Sequence, residues 1–131
     1  MKNDISAIGN ALVDTVFKVE HSLISELGLE IDQMTLSSAE EHAPIIERLI
    51  ASGADTVSDC GGSATNSLVA AASFGAKCFH ICKVSEDQDG LRYLKSLKEA
   101  GVNHKGNTAS ADSVPTGKCL ILVTPDAKRT M

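Results

Sequence analysis

An α/β fold, with a mainly parallel sheet flanked by helices and a small β lid, is predicted by three features of the sequence. Short apolar runs at 5–8, 78–84 and 119–123 read as buried strands. Between them lie stretches with apolar residues at helical spacing, each closed by a glycine. Residues 13–19 instead alternate with period two, the pattern of a half-exposed strand that could lie as a flap over a site. Strands alternating with helices must bury their apolar faces on one another, which gives α/β layering.

Each element follows from local chemistry. Ile5 to Ile8 is an apolar run stopped by Gly9-Asn10. Beyond it, Val13, Thr15, Phe17 and Val19 alternate with Asp14, Val16, Lys18 and Glu20. Ser38 followed by Glu41 fits a capping box, and Ile45, Ile46, Leu49 and Ile50 form a helical stripe that stops at Gly53. Pro44 removes a backbone donor, so this helix is expected either to kink there or to start near it. Gly61-Gly62 introduces a second helix with Ser63 as its N-cap, and Ala64, Ala70, Ala71 and Ala72 make a small face for close packing. Phe74-Gly75 ends it. The strand at 78–84 leads to Asp87, which caps a third helix bearing Leu91, Leu94 and Leu97 and closing at Gly101. Residues 103–114 are polar and read as loop or flap. After the strand at 119–123, Thr124-Pro125-Asp126-Ala127 makes a turn with proline where φ is held near −65°. The hairpin then has only a few residues on its return limb, which leads us to expect a missing remainder.

With 131 residues and 43% hydrophobic content, the chain suffices for one globular unit. A formal net charge of −5 and no basic run longer than Lys128-Arg129 give no footprint for nucleic acid or an anionic membrane. The first residues hold neither a signal-peptide core nor a membrane span, so a cytoplasmic location is the expectation. Cys60, Cys78, Cys82 and Cys119 lack a C-x-x-C spacing and read as reduced thiols, consistent with that compartment.

Two motifs could carry chemistry. In Gly9-Asn10-Ala11-Leu12-Val13-Asp14 a strand ends, a loop passes and a carboxylate follows at the base of the next strand. Ligand-binding groups favour strand ends in α/β proteins, although an aspartate near a turn is more often a surface residue. In Gly61-Gly62-Ser63-Ala64-Thr65-Asn66 the glycines would let a ligand approach backbone N–H groups at a helix start, and Asn66 adds a donor and an acceptor. A plain Gly-Gly hinge accounts for the same residues equally well. A Walker A loop and a three-glycine dinucleotide fingerprint are absent, and Thr65 stands where a nucleophile elbow needs its last glycine. Ser85 and Ser96 occupy the first and twelfth positions of a would-be calcium loop, so Asp87 reads as a helix cap. Cys78, His80 and Cys82 share one strand face without an obvious fourth ligand and read as core, with no metal site.

Taken in order, these pieces resemble the PfkB (ribokinase-like) family of carbohydrate and nucleoside kinases, over the whole chain and closest to its adenosine-kinase-like branch. Gly9 through Asp14 is similar to the family's first-strand motif, and Cys60-Gly61-Gly62-Ser63-Ala64-Thr65-Asn66-Ser67 to its Gly-Gly signature. Residues 84–90 are similar to V-G-x-D-x-x-G, and Pro115-Thr116-Gly117-Lys118 to the P-T-G motif. The resemblance implies a truncated ribokinase-like core, residues 1–131 forming its N-terminal part, with lid segments near 13–36 and 103–118. It implies that Asp14 accepts hydrogen bonds from sugar hydroxyls, that Gly62, Ser63 and Asn66 contact the same sugar, and that Asn10 faces a base or aglycone. It further implies a kinase that phosphorylates a primary hydroxyl with ATP and magnesium. The family's D-T-x-G-A-G-D signature, which brings the catalytic base and anion hole, does not occur in this sequence. The base is therefore expected beyond Met131, and the 131 residues alone are expected to be inactive and to bind neither ATP nor magnesium. Some relatives pair through their lids, so a lid-mediated homodimer is one assembly the resemblance allows. A non-catalytic α/β ligand-binding module is the alternative reading.

Overall fold

The structure, a computed structural model, describes residues 2–109 and 114–131. It divides into two compact units, the first comprising Met1–Val13 and Asp59–Lys118 and the second Asp14–Ser58 and Cys119–Met131. In chain order the strands are β1 (Ile5–Ile8), β2 (Leu12–Lys18), β3 (Thr56–Gly61), β4 (Cys78–Ser85), β5 (Val102–Ala109), β6 (Gly117–Val123) and β7 (Arg129–Thr130). The helices are α1 (His21–Glu26), α2 (Ala39–Ala51), α3 (Ser63–Ser73) and α4 (Gln88–Glu99).

The first unit is built on a parallel sheet of order β1-β4-β5, registered with Ile5 opposite Cys78 and Cys78 opposite Val102. Period-two alternation turns Cys78, His80, Cys82 and Val84 of β4 to one face, where they are buried against Leu68 of α3 and Tyr93 and Leu97 of α4. Burying each large aliphatic side chain contributes about 1.5–3 kcal/mol, so this face holds the unit together. On the other face Ile8, 80% exposed, lies opposite Ile81, 42% exposed, which corrects the reading of 5–8 as a buried strand: β1 is an edge strand, and only Ala7 on it packs against the core.

Residues 103–109, read above as loop or flap, are instead most of β5. Their polar side chains hid the strand, because a parallel ladder is made by the backbone, and Val102 at its start is the buried anchor among residues 102–105. The rest of that expectation, at 110–113, lies outside the described residues. The Leu91, Leu94, Leu97 stripe is also corrected: Leu91 is 67% exposed, and Tyr93 takes the buried position with Leu97. In α3 the small-residue face packs as expected at Ala71 and Ala72, and Ala64 lies against Gly9, so the correction is confined to Ala70. Thr65 and Leu68 are buried, Val69, Ala71 and Ala72 pack on the core, and Ala70 is exposed.

The second unit carries the sheet of order β3-β2-β6-β7, with β6 and β7 antiparallel. Phe17, Val19, Leu23, Ile24, Leu49, Leu120 and Leu122 form its core. The capping box of α2 is as expected: the Ser38 amide donates to Glu41 Oε2 at 2.7 Å and the Glu41 amide to Ser38 Oγ at 3.3 Å. With its start set there, α2 runs through Pro44 rather than beginning at it. The turn at 124–127 closes with the Ala127 amide donating to the Thr124 carbonyl at 2.8 Å. Two elements escaped the sequence reading, the short α1 and the exposed strand β3. Among the described residues no helix is long and apolar enough to cross a membrane.

Candidate functional site

Four of the five candidate residues come together in the first unit, where β1 ends and α3 begins. The Gly9 amide donates to the Ile81 carbonyl at 3.2 Å, so Asn10 is the first residue free of the sheet. A side chain at Gly9 would place its Cβ 2.5 Å from the Ala64 Cβ, and one at Gly62 would place it 2.6 Å from the Asn10 carbonyl oxygen. Glycine at both positions is what lets the two loops touch.

Gly62 has φ of 102° and is itself the N-cap of α3, with no side-chain cap bond. This corrects the assignment of Ser63 as N-cap. The left-handed backbone at Gly62 turns the chain one residue earlier than a serine cap would, and Ser63 becomes the first helical residue. Its carbonyl accepts the Ser67 hydroxyl at 2.8 Å. The first intrahelical bond runs from the Asn66 amide to the Gly62 carbonyl at 2.9 Å. Leading N–H groups of a helix lack intrahelical partners and carry partial positive charge, so they suit oxygen acceptors on a ligand. Asn10, Ser63 and Asn66 are exposed around this helix start and Gly62 is half-buried.

Asp14 belongs to the second unit, half-buried on β2. β6 is the neighbouring strand, and the Cys119 thiol on it is pushed up by burial and then by the Asp14 charge. The same unit holds a cavity of about 190 Å³ whose walls include Leu36, Ile45, Leu120 and Leu122. None of the five candidates lines it, and Thr35, Ser37, Glu41, His42 and Thr130 share its walls with the aliphatic side chains.

Beneath the helix start lies a polar cluster that sequence reading missed. Thr65, His80 and Tyr93 are 2%, 0% and 0% exposed. The Thr65 and Tyr93 hydroxyls are hydrogen-bonded, and His80 Nε2 lies 3.3 Å from each. His80 Nδ1 is 3.3 Å from the Ala7 carbonyl oxygen. A carbonyl only accepts, so Nδ1 is the donor in that contact. Burial pushes the Tyr93 phenol up to about 12, against the downward pull of the Thr65 hydrogen bond.

The segments similar to V-G-x-D-x-x-G and P-T-G meet each other. Asp87 accepts the Gly90 amide at 2.7 Å, the Thr116 amide at 2.8 Å and the Thr116 hydroxyl at 2.7 Å. A Cβ at Gly90 would lie 2.1 Å from the Ser85 carbonyl oxygen, so this glycine serves close packing. These residues brace α4 and β6 and reach no candidate ligand group. Among the described residues no three His, Cys, Asp or Glu side chains are grouped to hold a metal ion. No disulfide joins Cys60, Cys78, Cys82 or Cys119.

A model of the pfkB family of carbohydrate kinases matches residues 29–131. Among solved structures, adenosine kinase from Sinorhizobium meliloti is 29% identical with a TM-score of 0.78, covering 98% of this chain and 38% of its own. A probable sugar kinase from Rhizobium etli is 26% identical with a TM-score of 0.82, the match covering 97% and 37% of the two chains. Adenosine kinase from Anopheles gambiae, in complex with P1,P4-di(adenosine-5) tetraphosphate, is 26% identical with a TM-score of 0.78, covering 95% and 37%. The chain thus spans little more than a third of these structures. No curated protein matches it.

Proposed function

Because the chain belongs to the pfkB family of carbohydrate kinases, we propose that it is the substrate-binding N-terminal part of an ATP-dependent kinase acting on a primary hydroxyl of a sugar or nucleoside. The observation that carries this reading is the contact between the Asn10 carbonyl and Gly62 at the open start of α3. It brings the first turn of α3 with the exposed residues Asn66 and Asn10 to one place, and their carboxamides can both donate to and accept from neighbouring hydroxyls. Asp14 is assigned the role of accepting sugar hydroxyls. An ionised carboxylate offers two acceptor oxygens, and hydrogen bonds to it are stronger than neutral ones.

Under this proposal Asp14 orients the substrate and does not deprotonate it. The general base and the donor belong to the whole kinase, where bound ATP supplies the phosphoryl group and magnesium accompanies it. Substrate contacts without a donor site cannot align a phosphoryl group, so the 131 residues alone are assigned no transfer activity. The likeness to an adenosine kinase at 29% identity favours a nucleoside over a free sugar.

Calorimetric titration of the 131-residue protein with adenosine and with D-ribose tests this. Asp14→Asn is expected to weaken binding of the preferred ligand by roughly ten-fold to several hundred-fold, the equivalent of one or two charged hydrogen bonds. Unchanged affinity in that variant would refute the role given to Asp14. Phosphorylation of either compound by the pure protein with ATP and magnesium would refute the division of labour.

A further inference from the structure

We propose that Thr65, His80 and Tyr93 form a buried positioning triad that locks the end of β1 to the first turn of α3 and thereby sets the ligand geometry at Asn10 and Asn66. The contacts define the lock. Thr65 lies one residue before Asn66, and its hydroxyl is held by the Tyr93 hydroxyl from α4 and by His80 Nε2 from β4. The other ring nitrogen of His80 reaches the Ala7 carbonyl, three residues before Asn10. One imidazole therefore bridges both chain segments that carry the candidate ligand groups of this unit.

An apolar core at these positions would pack the sheet as well but would not define the rotation of α3 about its own axis. A hydrogen bond has direction, and a buried hydroxyl left without a partner costs more than an aliphatic contact shifted by a fraction of an ångström. The close approaches of Gly9 to Ala64 and of Gly62 to Asn10 leave little slack above the triad. A small rotation of α3 would break those contacts. The three residues touch no ligand position themselves and act through the backbone, so they are positioning residues. The effect on ligand affinity rests on the sugar-site reading above, whereas the locking of the two segments does not.

Tyr93 is the only tyrosine and the chain has no tryptophan, so its emission reports this cluster alone. Hydrogen exchange in the 131-residue protein, with Thr65→Val, Thr65→Ser and Tyr93→Phe, tests the lock. The Gly9 and Asn66 amides are hydrogen-bonded probes of the two segments, and the Ala76 and Ala100 amides are references elsewhere in the unit. Thr65→Val and Tyr93→Phe are expected to speed exchange at Gly9 and Asn66 by roughly ten-fold relative to the references, and Thr65→Ser to restore it. Equal acceleration at all four amides, or none, would overturn the proposal. In parallel, adenosine is expected to change Tyr93 emission in the parent protein and to bind Thr65→Val roughly ten-fold more weakly, with Thr65→Ser near the parent. If adenosine and D-ribose both fail to bind the parent, the sugar-site reading fails and exchange alone decides the lock. If adenosine binds parent and Thr65→Val equally, the coupling of triad to ligand is overturned.

Discussion

Thr116 and Asp87, 29 residues apart, share two hydrogen bonds, the Thr116 amide donating to Asp87 Oδ2 at 2.8 Å and its hydroxyl to Oδ1 at 2.7 Å. The Thr116 oxygen also accepts the Ser85 amide at 2.9 Å, so one threonine closes the loop before α4. Burial alone would raise the Asp87 carboxyl, but the Thr116 and Gly90 amides, the Thr116 hydroxyl and the Lys118 charge together hold it below its usual value. Asp87→Ala removes the α4 cap and leaves the Thr116 amide without its acceptor. We expect a loss of about 2–3 kcal/mol in urea unfolding. Because the folded carboxyl lies below its unfolded value, its stabilisation is present above about pH 4 and is lost as pH falls through the folded value. The acid limb of the stability curve should therefore flatten in Asp87→Asn, and an unchanged limb would discount this network.

Tyr93 gives the opposite linkage at high pH. Its phenol is pushed up to about 12 from the ordinary 10, so the stabilisation it confers is intact below pH 10 and is lost as pH rises toward 12. Near-ultraviolet titration of tyrosinate should show a single transition well above 10. Thr65→Val removes a hydrogen bond that pulls the value down, and so should move the transition further up or make it coincide with unfolding. A transition near 10 in the folded protein would mean that Tyr93 is solvated.

Gly62 and Gly75 both have positive φ, but only Gly62 is crowded, with the Asn10 carbonyl oxygen 2.6 Å from an added Cβ. Gly75→Ala should lose about 1–2 kcal/mol from backbone strain alone. Gly62→Ala should lose more, roughly 2–4 kcal/mol, because the loop carrying Asn10 must also move. Denaturant midpoints with equal m-values would measure both, and equal losses would show that the loop yields freely.

Parallel sheets are ordinarily covered on both faces, yet Ile8 and Ile81 form an adjacent exposed pair on β1 and β4. The 131-residue protein is accordingly expected to bind a hydrophobic dye and to self-associate as concentration rises. Ile8→Thr with Ile81→Thr should reduce both while leaving the far-ultraviolet circular dichroism spectrum intact. Dye binding and association that stay the same in the double variant would place the sticky surface elsewhere.

What the sequence by itself determined is what neighbouring residues decide among themselves. The reciprocal bonds of Ser38 and Glu41, the cap at Asp87, the turn at 124–127 and the strands at 5–8, 78–84 and 119–123 each depend on torsions and partners within a few positions, or on a local apolar run, but the burial expected at 5–8 did not follow from that run. The Gly-Gly entry to α3 was legible too, but not the choice of Gly62 over Ser63 as cap. That choice turns on a positive φ, and the Asn10 carbonyl makes the position one only glycine can fill. Only the tertiary structure decided that polar residues 103–109 form a strand, since their place is set by pairing with β4. It alone decided that Thr65, His80 and Tyr93 share one cluster and that His80 reaches a carbonyl 73 residues away. Strand order in a sheet is a non-local choice made by the summed burial of many side chains, and no window of sequence around any one of those residues contains it.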